Sequence, residues 1–266
     1  MSRPSISVAT QRRHAIIDIR PFASLGGANH GWLDAKHHFS FANYYDPARE
    51  SWGNLRVWND DTIAPQSGFP PHPHRDMEII TWVLQGSLVH QDSMGHSGVI
   101  YPGLAQRMSA GTGILHSEKN DSWRLGDTAG SYSGKHGDPV RFVQMWVVPD
   151  EQGITPGYEQ LEIDNELLSG GLVPVASGMP DHAAIRIKNK YAAMHVARLQ
   201  PGQAPVEIPD APFVHIFVAE GEAMLEGVGP LAQGDAVRVT GGGGQKLSTA
   251  SGAEVIVWEM HAAIAG

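Results

Sequence analysis

Cysteine is absent from this 266-residue sequence. That absence excludes disulfide bonds, cysteine-ligated zinc and iron–sulfur clusters, and it removes any indication of an oxidising compartment. The sequence also lacks an apolar run approaching the roughly 18 residues of a membrane span. The first residues, Met1–Ser7, have none of the apolar character of a secretion signal. We therefore expect a cytoplasmic protein with no membrane partner.

Positive charge is scarce. Lysine and arginine number 19 against 28 aspartates and glutamates, which gives a formal net charge of -9. A broad basic face is therefore not expected, and the composition predicts that nucleic acid is not a partner. A hydrophobic content of 41% with 18% charged residues is typical of a soluble globular protein of one large or two ordinary domains.

Long helical periodicity is also missing, and short strand-like runs take its place. These runs are rich in β-branched and aromatic residues and end at glycine, proline or aspartate. They are Ile79–Leu84, Val140–Val148, Val214–Val218 and Val255–Trp258. A short helical turn is predicted at Asn165–Ser169, and the chain as a whole is predicted to be all-β.

Two short histidine motifs carry the chemistry of the sequence. His72 and His74 form one pair, and His116 and Glu118 form the second. Side chains two apart on a strand point to the same side, so two such strands facing each other would close a four-ligand site. A single pair is more often a surface feature, but two pairs beside glycine or proline turns favour a metal site. Imidazole and carboxylate ligands suit iron, manganese, nickel, copper or zinc.

An internal repeat divides the chain. Residues 82–90 resemble residues 217–225, each reading as strand, tight glycine turn and strand, and residues 102–113 resemble residues 233–244. This register predicts a duplicated β-barrel with a boundary near Pro149–Gly157.

The second copy does not repeat the ligands. Counting from the glycine turns matches His72 and His74 with Glu207 and Pro209, and it brings His116 near Leu247. The remaining histidines of the second half are isolated, and we expect them to be structural or on the surface: His182, His195, His215 and His261. One active and one inert barrel is the prediction.

These motifs resemble a known family. The patterns His72-x-His74-(x3)-Glu78 and Gly111-x-Gly113-x-x-His116-(x3)-Asn120 resemble the paired motifs of the cupin superfamily. The segments 72–81, 90–96 and 108–118 are similar to pirin. The segments 28–34 and 39–47 look like the bacterial pirin-like branch that includes quercetin 2,3-dioxygenases. The likeness covers most of the chain and is densest from about residue 28 to residue 150.

The resemblance implies a bicupin, in which two jelly-roll β-barrels with few short helices pack together. Residues 1–150 would form the metal-binding barrel, and residues 151–266 would form a degenerate barrel without ligands. The implied ligands are His72, His74, His116 and Glu118 around one divalent transition metal, usually iron (Fe2+), with zinc, manganese, nickel, copper and cobalt as the other candidates. General cupins often take their carboxylate from the first motif, so Glu78 stays open as an alternative to Glu118.

The resemblance also implies a function: a metal-dependent dioxygenase that cleaves a flavonol such as quercetin with O2 and releases carbon monoxide. Glu118 would act as the catalytic base. The alternative is a non-catalytic, metal-binding regulatory protein that binds a protein partner, as animal pirins do. Turnover of a flavonol would distinguish the first from the second.

Several other residues are expected to have structural roles. His90 and Asp92 are expected to form a buried hydrogen-bonded pair, and His96 is expected to be solvated. The N-terminal group of His30, Trp32, His37 and His38 is expected to pack one domain on the other or to shape the mouth of a pocket. Gly111 and Gly113 are expected to permit a tight turn before the second ligand strand.

Overall fold

Nearly every regular element in this protein is a β-strand. The structure is a computed structural model that describes residues 15–121, 137–180 and 185–264. In chain order the strands are β1 Ile16–Arg20, β2 Gly26–Asn29, β3 Leu33–His37, β4 Leu55–Ile63, β5 Gly68–His74, β6 Glu78–Gln85, β7 Leu88–Asp92, β8 Ser97–Ile100, β9 Leu104–Ser109, β10 Ile114–Lys119, β11 Val140–Val147, β12 Gly157–Glu162, β13 Val173–Ser177, β14 Ile185–Arg186, β15 Ala192–Leu199, β16 Val206–Glu207, β17 Ala211–Leu225, β18 Gly229–Ala232, β19 Ala236–Gly242, β20 Lys246–Ser248 and β21 Ala253–Met260.

Helices are few and short. The α-helix α1 spans Asp164–Leu167, close to the helical turn predicted at 165–169, and two 3-10 turns span Phe22–Ser24 and Pro47–Arg49. Across the described ranges, none of the helices has the length and apolar character needed to cross a membrane. The predicted all-β class is confirmed.

The strands form two units with matching order. In the first unit a large sheet contains β9-β6-β11-β4-β3 and a small sheet runs β5-β10-β7-β8. In the second unit the large sheet contains β19-β17-β21-β15-β13, and β16, β20, the end of β17 and β18 form the small sheet. The correspondence is strand for strand, so the duplication predicted from the sequence repeat is present in the fold.

Each unit lends an edge strand to the other. Strand β1 pairs with β19 of the second large sheet, where Ile16 lies opposite Thr240. Strand β12 pairs with β9 of the first large sheet, where Gly157 lies opposite Ser109. The sheets therefore do not divide cleanly at residue 150, and the boundary at 150/151 stays a prediction about the sequence halves.

In each unit, one glycine lies where the chain passes from the large sheet to the small one. Gly86 and Gly221 have φ values of 77° and 73°, in the left-handed region that favours glycine. A Cβ on Gly221 would lie 2.2 Å from the carbonyl oxygen of Gly252. In each unit the residues before and after this glycine pair in different sheets. The predicted strand–turn–strand motif therefore takes the chain from one sheet to the other and is not a hairpin.

The largest hydrophobic core lies between the two units. It joins residues of both halves, including Trp58, Trp82, Phe217, Trp258 and Met260. The three tryptophans are fully buried, and Trp82 Nε1 donates across the interface to Glu254 Oε1 at 2.7 Å. Packing of this size makes the pair of barrels one structural unit and holds the walls of the first barrel in place.

Candidate metal centre

Three histidines converge at one corner of the first barrel. Strands β5 and β10 are antiparallel, with His72 opposite His116 and His74 opposite Ile114. The ring centroids are 4.5 Å apart for His72 and His116, and 4.8 Å apart for each pair that includes His74. One ring nitrogen from each histidine lies within 4.8 Å of the other two. The two motifs are therefore brought together as predicted.

The nitrogens that face this corner fit a metal ion. His72 Nδ1 donates to the carbonyl oxygen of Pro70 at 2.8 Å, so its Nε2 carries the free lone pair. The Nε2 atoms of His74 and His116 are buried and have no hydrogen-bond partner among the described residues. Buried nitrogens without a partner are costly unless something else binds them. A divalent transition metal is the partner that suits three imidazoles.

A relay behind His116 fixes its tautomer. His90 Nε2 lies 3.2 Å from Asp92 Oδ2, and because a carboxylate only accepts, this nitrogen donates. His90 Nδ1 is then an acceptor, so His116 Nδ1, at 3.3 Å, donates to it. His116 Nε2 is left with its lone pair directed at the corner. Carboxylate–histidine contacts of this kind orient metal ligands in many proteins.

Asp92 is the end point of this relay. Its carboxylate is fully buried and also accepts from His96 Nδ1 at 3.0 Å and from the backbone nitrogens of Met94 and His96. Burial alone would raise the pKa of Asp92, but the hydrogen bonds from His90 and His96 outweigh it and lower that pKa. The expected His90–Asp92 pair is confirmed. His96 is 39% exposed, in line with the expectation that it is solvated, and its ring is also held by Asp92 and stacks on Tyr158.

Glu118 places a carboxylate beside the three histidines. Its Oε2 lies 3.8 Å from His116 Nε2, and its Oε1 accepts from Gln144 Nε2 at 2.8 Å. Trp146 Nε1 donates to Gln144 Oε1 at 3.0 Å, which fixes the orientation of the amide. Glu118 is 2% exposed, and burial raises its pKa despite the hydrogen bond from Gln144.

Glu78, the alternative carboxylate, is directed elsewhere. Its Oε2 accepts from Ser109 Oγ and from the backbone nitrogen of Lys188, both at 3.0 Å. It does not line the pocket beside the histidines, whereas Glu118 does. Glu78 is held away from the histidines because it lies on β6 in the large sheet, whereas β5 and β10 lie in the small one.

Burial keeps two of the histidines uncharged. It lowers the pKa of His74 and that of His116 to about 3, with smaller contributions from the neighbouring imidazoles. Both are therefore neutral at pH 7, which is the form that coordinates a metal.

A pocket of about 260 Å³ opens from this corner. Its apolar wall is aromatic, formed by Trp32, Phe41, Phe69 and Trp146. This volume lies just below the range of about 300–1,000 Å³ for small-molecule sites, and apolar walls with a few polar groups are typical of them. The arrangement suits a flat aromatic molecule that reaches the three histidines with a polar group.

Of the four N-terminal residues expected to shape the pocket or to join the domains, three line the pocket and one packs between the barrels. His30, Trp32 and His37 line the pocket, and His37 Nδ1 donates to Asn59 Oδ1 at 2.9 Å. His38 does not line it but packs against the second barrel, with its ring 5.3 Å from that of Phe217. Both expected roles, shaping the pocket and joining the domains, are therefore present in the one segment.

Sequence reasoning missed four polar pocket residues: Asn59, Asp61, Gln144 and Trp146. Gln144 did carry a signal, because it is a polar residue inside the apolar run 140–148 and shares strand parity with Trp146. Asp61 is 4% exposed. Burial first, and then the charges of Asp60, Glu118 and Asp34, raises its pKa well above the usual range.

The matching corner of the second barrel is apolar. Leu247 lies opposite Val206 on one side and Leu225 on the other. This pairing shifts the counted correspondence by one residue, since Val206 and not Glu207 is the counterpart of His72. His195 and His261 both contact the carboxylate of Glu259, and His182 lies outside the described residues. The three residues that meet at this corner, Val206, Leu225 and Leu247, offer no metal-binding atom.

Two jelly-roll barrels in tandem, with a histidine cluster in the corner of the first, define a bicupin of the cupin superfamily. The Pirin family pattern matches residues 19–147. A Mycobacterium tuberculosis protein named "Putative quercetin 2,3-dioxygenase Rv0181c" is 55% identical over 249 residues, which is 93% of this chain and 96% of that protein. The chain belongs to the pirin family.

Solved structures agree. The crystal structure of YhhW from Escherichia coli superposes with a TM-score of 0.81 at 34% identity and covers 94% of this chain and 100% of that one. A second structure, of bacterial pirin YhhW from Escherichia coli in complex with nickel(II), gives a TM-score of 0.79 at the same identity and coverage.

Proposed function

We propose that this protein is a metal-dependent dioxygenase that cleaves a flavonol with O2. His72, His74, His116 and Glu118 would hold one divalent transition metal, with iron as the first candidate. The observation that carries the proposal is the convergence of three imidazoles beside one buried carboxylate, next to an aromatic pocket. The nickel(II) complex of YhhW and the name of the mycobacterial relative support it.

A metal bound by these residues would supply a Lewis acid that lowers the pKa of a coordinated substrate hydroxyl. Glu118 would accept the hydroxyl proton through Oε2 when that oxygen is not bound to the metal, because it is the buried carboxylate beside His116. Gln144 holds one oxygen of Glu118, which leaves Oε2 on the side of His116 for this task.

The pocket residues would orient the substrate. Phe69 and Trp146 flank the histidine corner: the Trp146 ring centroid is 4.8 Å from His74, and the Phe69 centroid is 5.9 Å from His72. Rings in this arrangement favour a planar, aromatic guest over a flexible one. A flavonol also offers a hydroxyl next to a carbonyl, which is a good ligand for a divalent metal.

Oxygen uptake by the iron-loaded protein with quercetin tests the proposal. The parent is expected to consume O2 and release carbon monoxide, and His74→Ala is expected to lose metal and uptake together. His261→Ala is the matched control, because that imidazole is 40% exposed and bonded to Glu259. Absence of uptake with iron bound at full stoichiometry would overturn the dioxygenase and favour a metal-binding protein that acts through a protein partner.

A further inference from the structure

A second cluster of buried polar side chains lies between the two barrels, away from the metal corner. His38 follows β3, Trp58 lies on β4, His215 lies on β17, and Arg238 lies opposite His215 on β19. Ring centroids are 4.6 Å apart for Trp58 and His215 and 6.1 Å apart for His38 and His215. All four residues are no more than 2% exposed. Each barrel contributes two of them, so the cluster bridges the interface.

These side chains have hydrogen-bonding atoms that nothing in the described chain satisfies. Both ring nitrogens of His38 and of His215, the indole nitrogen of Trp58, and Nε and Nη2 of Arg238 are buried without a partner there. The indole nitrogen of Trp52 is in the same condition, and its ring lies 5.3 Å from the Arg238 guanidinium. Buried polar groups are almost always bound, by protein, water or an ion.

The charge of the cluster is also unbalanced. Nearby Arg20 is paired with Asp18 at 2.6 Å, and Arg49 is paired with Asp46 at 3.3 Å. Arg238 has no ion pair with any described carboxylate, and Asp18, which lies opposite it on β1, is itself paired with Arg20. Burial, and then the charge of Arg20, lowers the pKa of Arg238 to about 9, so it is still cationic at neutral pH. A buried, unpaired cation is strongly disfavoured.

We propose that Arg238, His38, His215 and Trp58 bind a small monovalent anion, with chloride as the physiological candidate, between the two barrels. Indole and guanidinium nitrogens only donate, and a neutral histidine offers one donor and one acceptor. Such a cluster is rich in donors and poor in acceptors. An anion accepts several of these donors and balances the charge of Arg238, whereas a water molecule needs acceptors for its own hydrogens. Rings this closely spaced favour a single-atom ion.

The anion would stabilise the contact between barrels. His38 and Trp58 reach it from the first unit, and His215 and Arg238 reach it from the second. A ligand that binds only the folded protein raises its stability with concentration. The metal corner is built from other residues, so this inference does not depend on the proposed dioxygenase activity.

Thermal unfolding of the metal-loaded protein tests the proposal. Sodium chloride or bromide is exchanged for sodium gluconate at constant ionic strength, because gluconate is too large for the cluster. We expect Tm to rise with the logarithm of the halide concentration, by about 5 °C once halide exceeds its Kd about 100-fold. Arg238→Met is expected to lose this rise. Arg198→Met is the matched control, since it removes a guanidinium paired with Glu254 and Asp164 and is expected to keep the rise.

Anomalous diffraction from parent crystals soaked in bromide provides a measurement that does not depend on a variant folding. A bromide peak within hydrogen-bond distance of Trp58 Nε1 and the Arg238 guanidinium supports the proposal. Water alone at that position overturns it. An equal halide-dependent rise in Arg238→Met also overturns it, because the effect would then come from general salt binding.

Discussion

The two barrels of this protein share a strand order but differ in one corner. In the first, His116 lies between His72 on β5 and Asp92 on β7. In the second, Leu247 lies between Val206 on β16 and Leu225 on β17. The strand pairing is the same, but two predicted ligands and the aspartate behind them are replaced by three aliphatic residues.

The difference shows which kind of side chain the β-barrel needs at this corner in order to fold. Leu225 and Leu247 belong to a continuous apolar core in the second barrel, together with Leu231 and Val239. An aliphatic corner therefore suffices to close the fold. The first barrel instead buries imidazoles and a carboxylate, which are costly without partners. A chemical role for this corner would account for that cost. Because two barrels with the same strand order differ in this way, the fold alone does not determine function.

The largest effect is expected when the first corner is given the residue of the second. His116→Leu removes the central imidazole, and we expect metal affinity to fall by more than the roughly 10- to 100-fold loss typical of changes behind a ligand. Metal content by elemental analysis measures this, with His261→Leu as the control. Full metal content in His116→Leu would refute the ligand assignment.

The reciprocal exchange tests the second corner. Leu247→His buries an imidazole among Val206 and Leu225, which offer no hydrogen bond, and is expected to lower the free energy of unfolding by about 3 kcal/mol. It should bind no metal. Denaturant unfolding measures the loss. Leu168→His, at a side chain that is 74% exposed, is expected to stay within about 0.5 kcal/mol of the parent. Equal stability of the two variants would contradict this account.

A smaller effect is expected behind the first corner. Asp92→Asn removes the negative charge that holds the His90 relay, and metal affinity is expected to fall about 10- to 100-fold while the ligands remain. Competition with a chelator of known affinity measures this. The control in the second barrel is Asp235→Asn, since Asp235 accepts only from backbone nitrogens of Phe22 and Ala232. If Asp92→Asn bound metal as tightly as the parent, the relay would have no role in tuning His116.

The smallest effect concerns pH in the metal-free protein. The pKa of His116 is lowered from 6.5 to about 3 by burial, so between these values the unfolded chain binds the proton and the folded chain does not. The contribution of His116 to the free energy of unfolding is fully present above pH 6.5 and is lost as the pH falls toward 3. From pH 7.5 to 5.5 the loss is about 1.4 kcal/mol. In His116→Leu the free energy of unfolding, measured with urea, should fall by about 1.4 kcal/mol less over this pH range. Equal declines in both proteins would show that the imidazole is not held neutral.

Local sequence patterns predicted much of the fold. The β-branched runs at 79–84, 214–218 and 255–258 all lie inside strands, and Gly111 and Gly113 have positive φ in the turn before β10. Alternation and turn glycines are short-range signals, so a single sequence carries them. The exchange of β1 and β12 between the sheets was not predicted, because edge pairing depends on which distant strand is left uncovered.

For the site, the sequence by itself determined the candidate ligands His72, His74, His116 and Glu118, since paired spacing on a strand puts two side chains on one side. It also predicted that the second half lacks an equivalent set. Only the tertiary structure placed Glu118, and not Glu78, beside the three histidines, because that placement depends on which sheet each strand joins. It alone brought Gln144 to Glu118, and it alone gathered His38, Trp58, His215 and Arg238 from four strands or their ends. Contacts between residues far apart in the chain follow from packing, which local sequence does not encode.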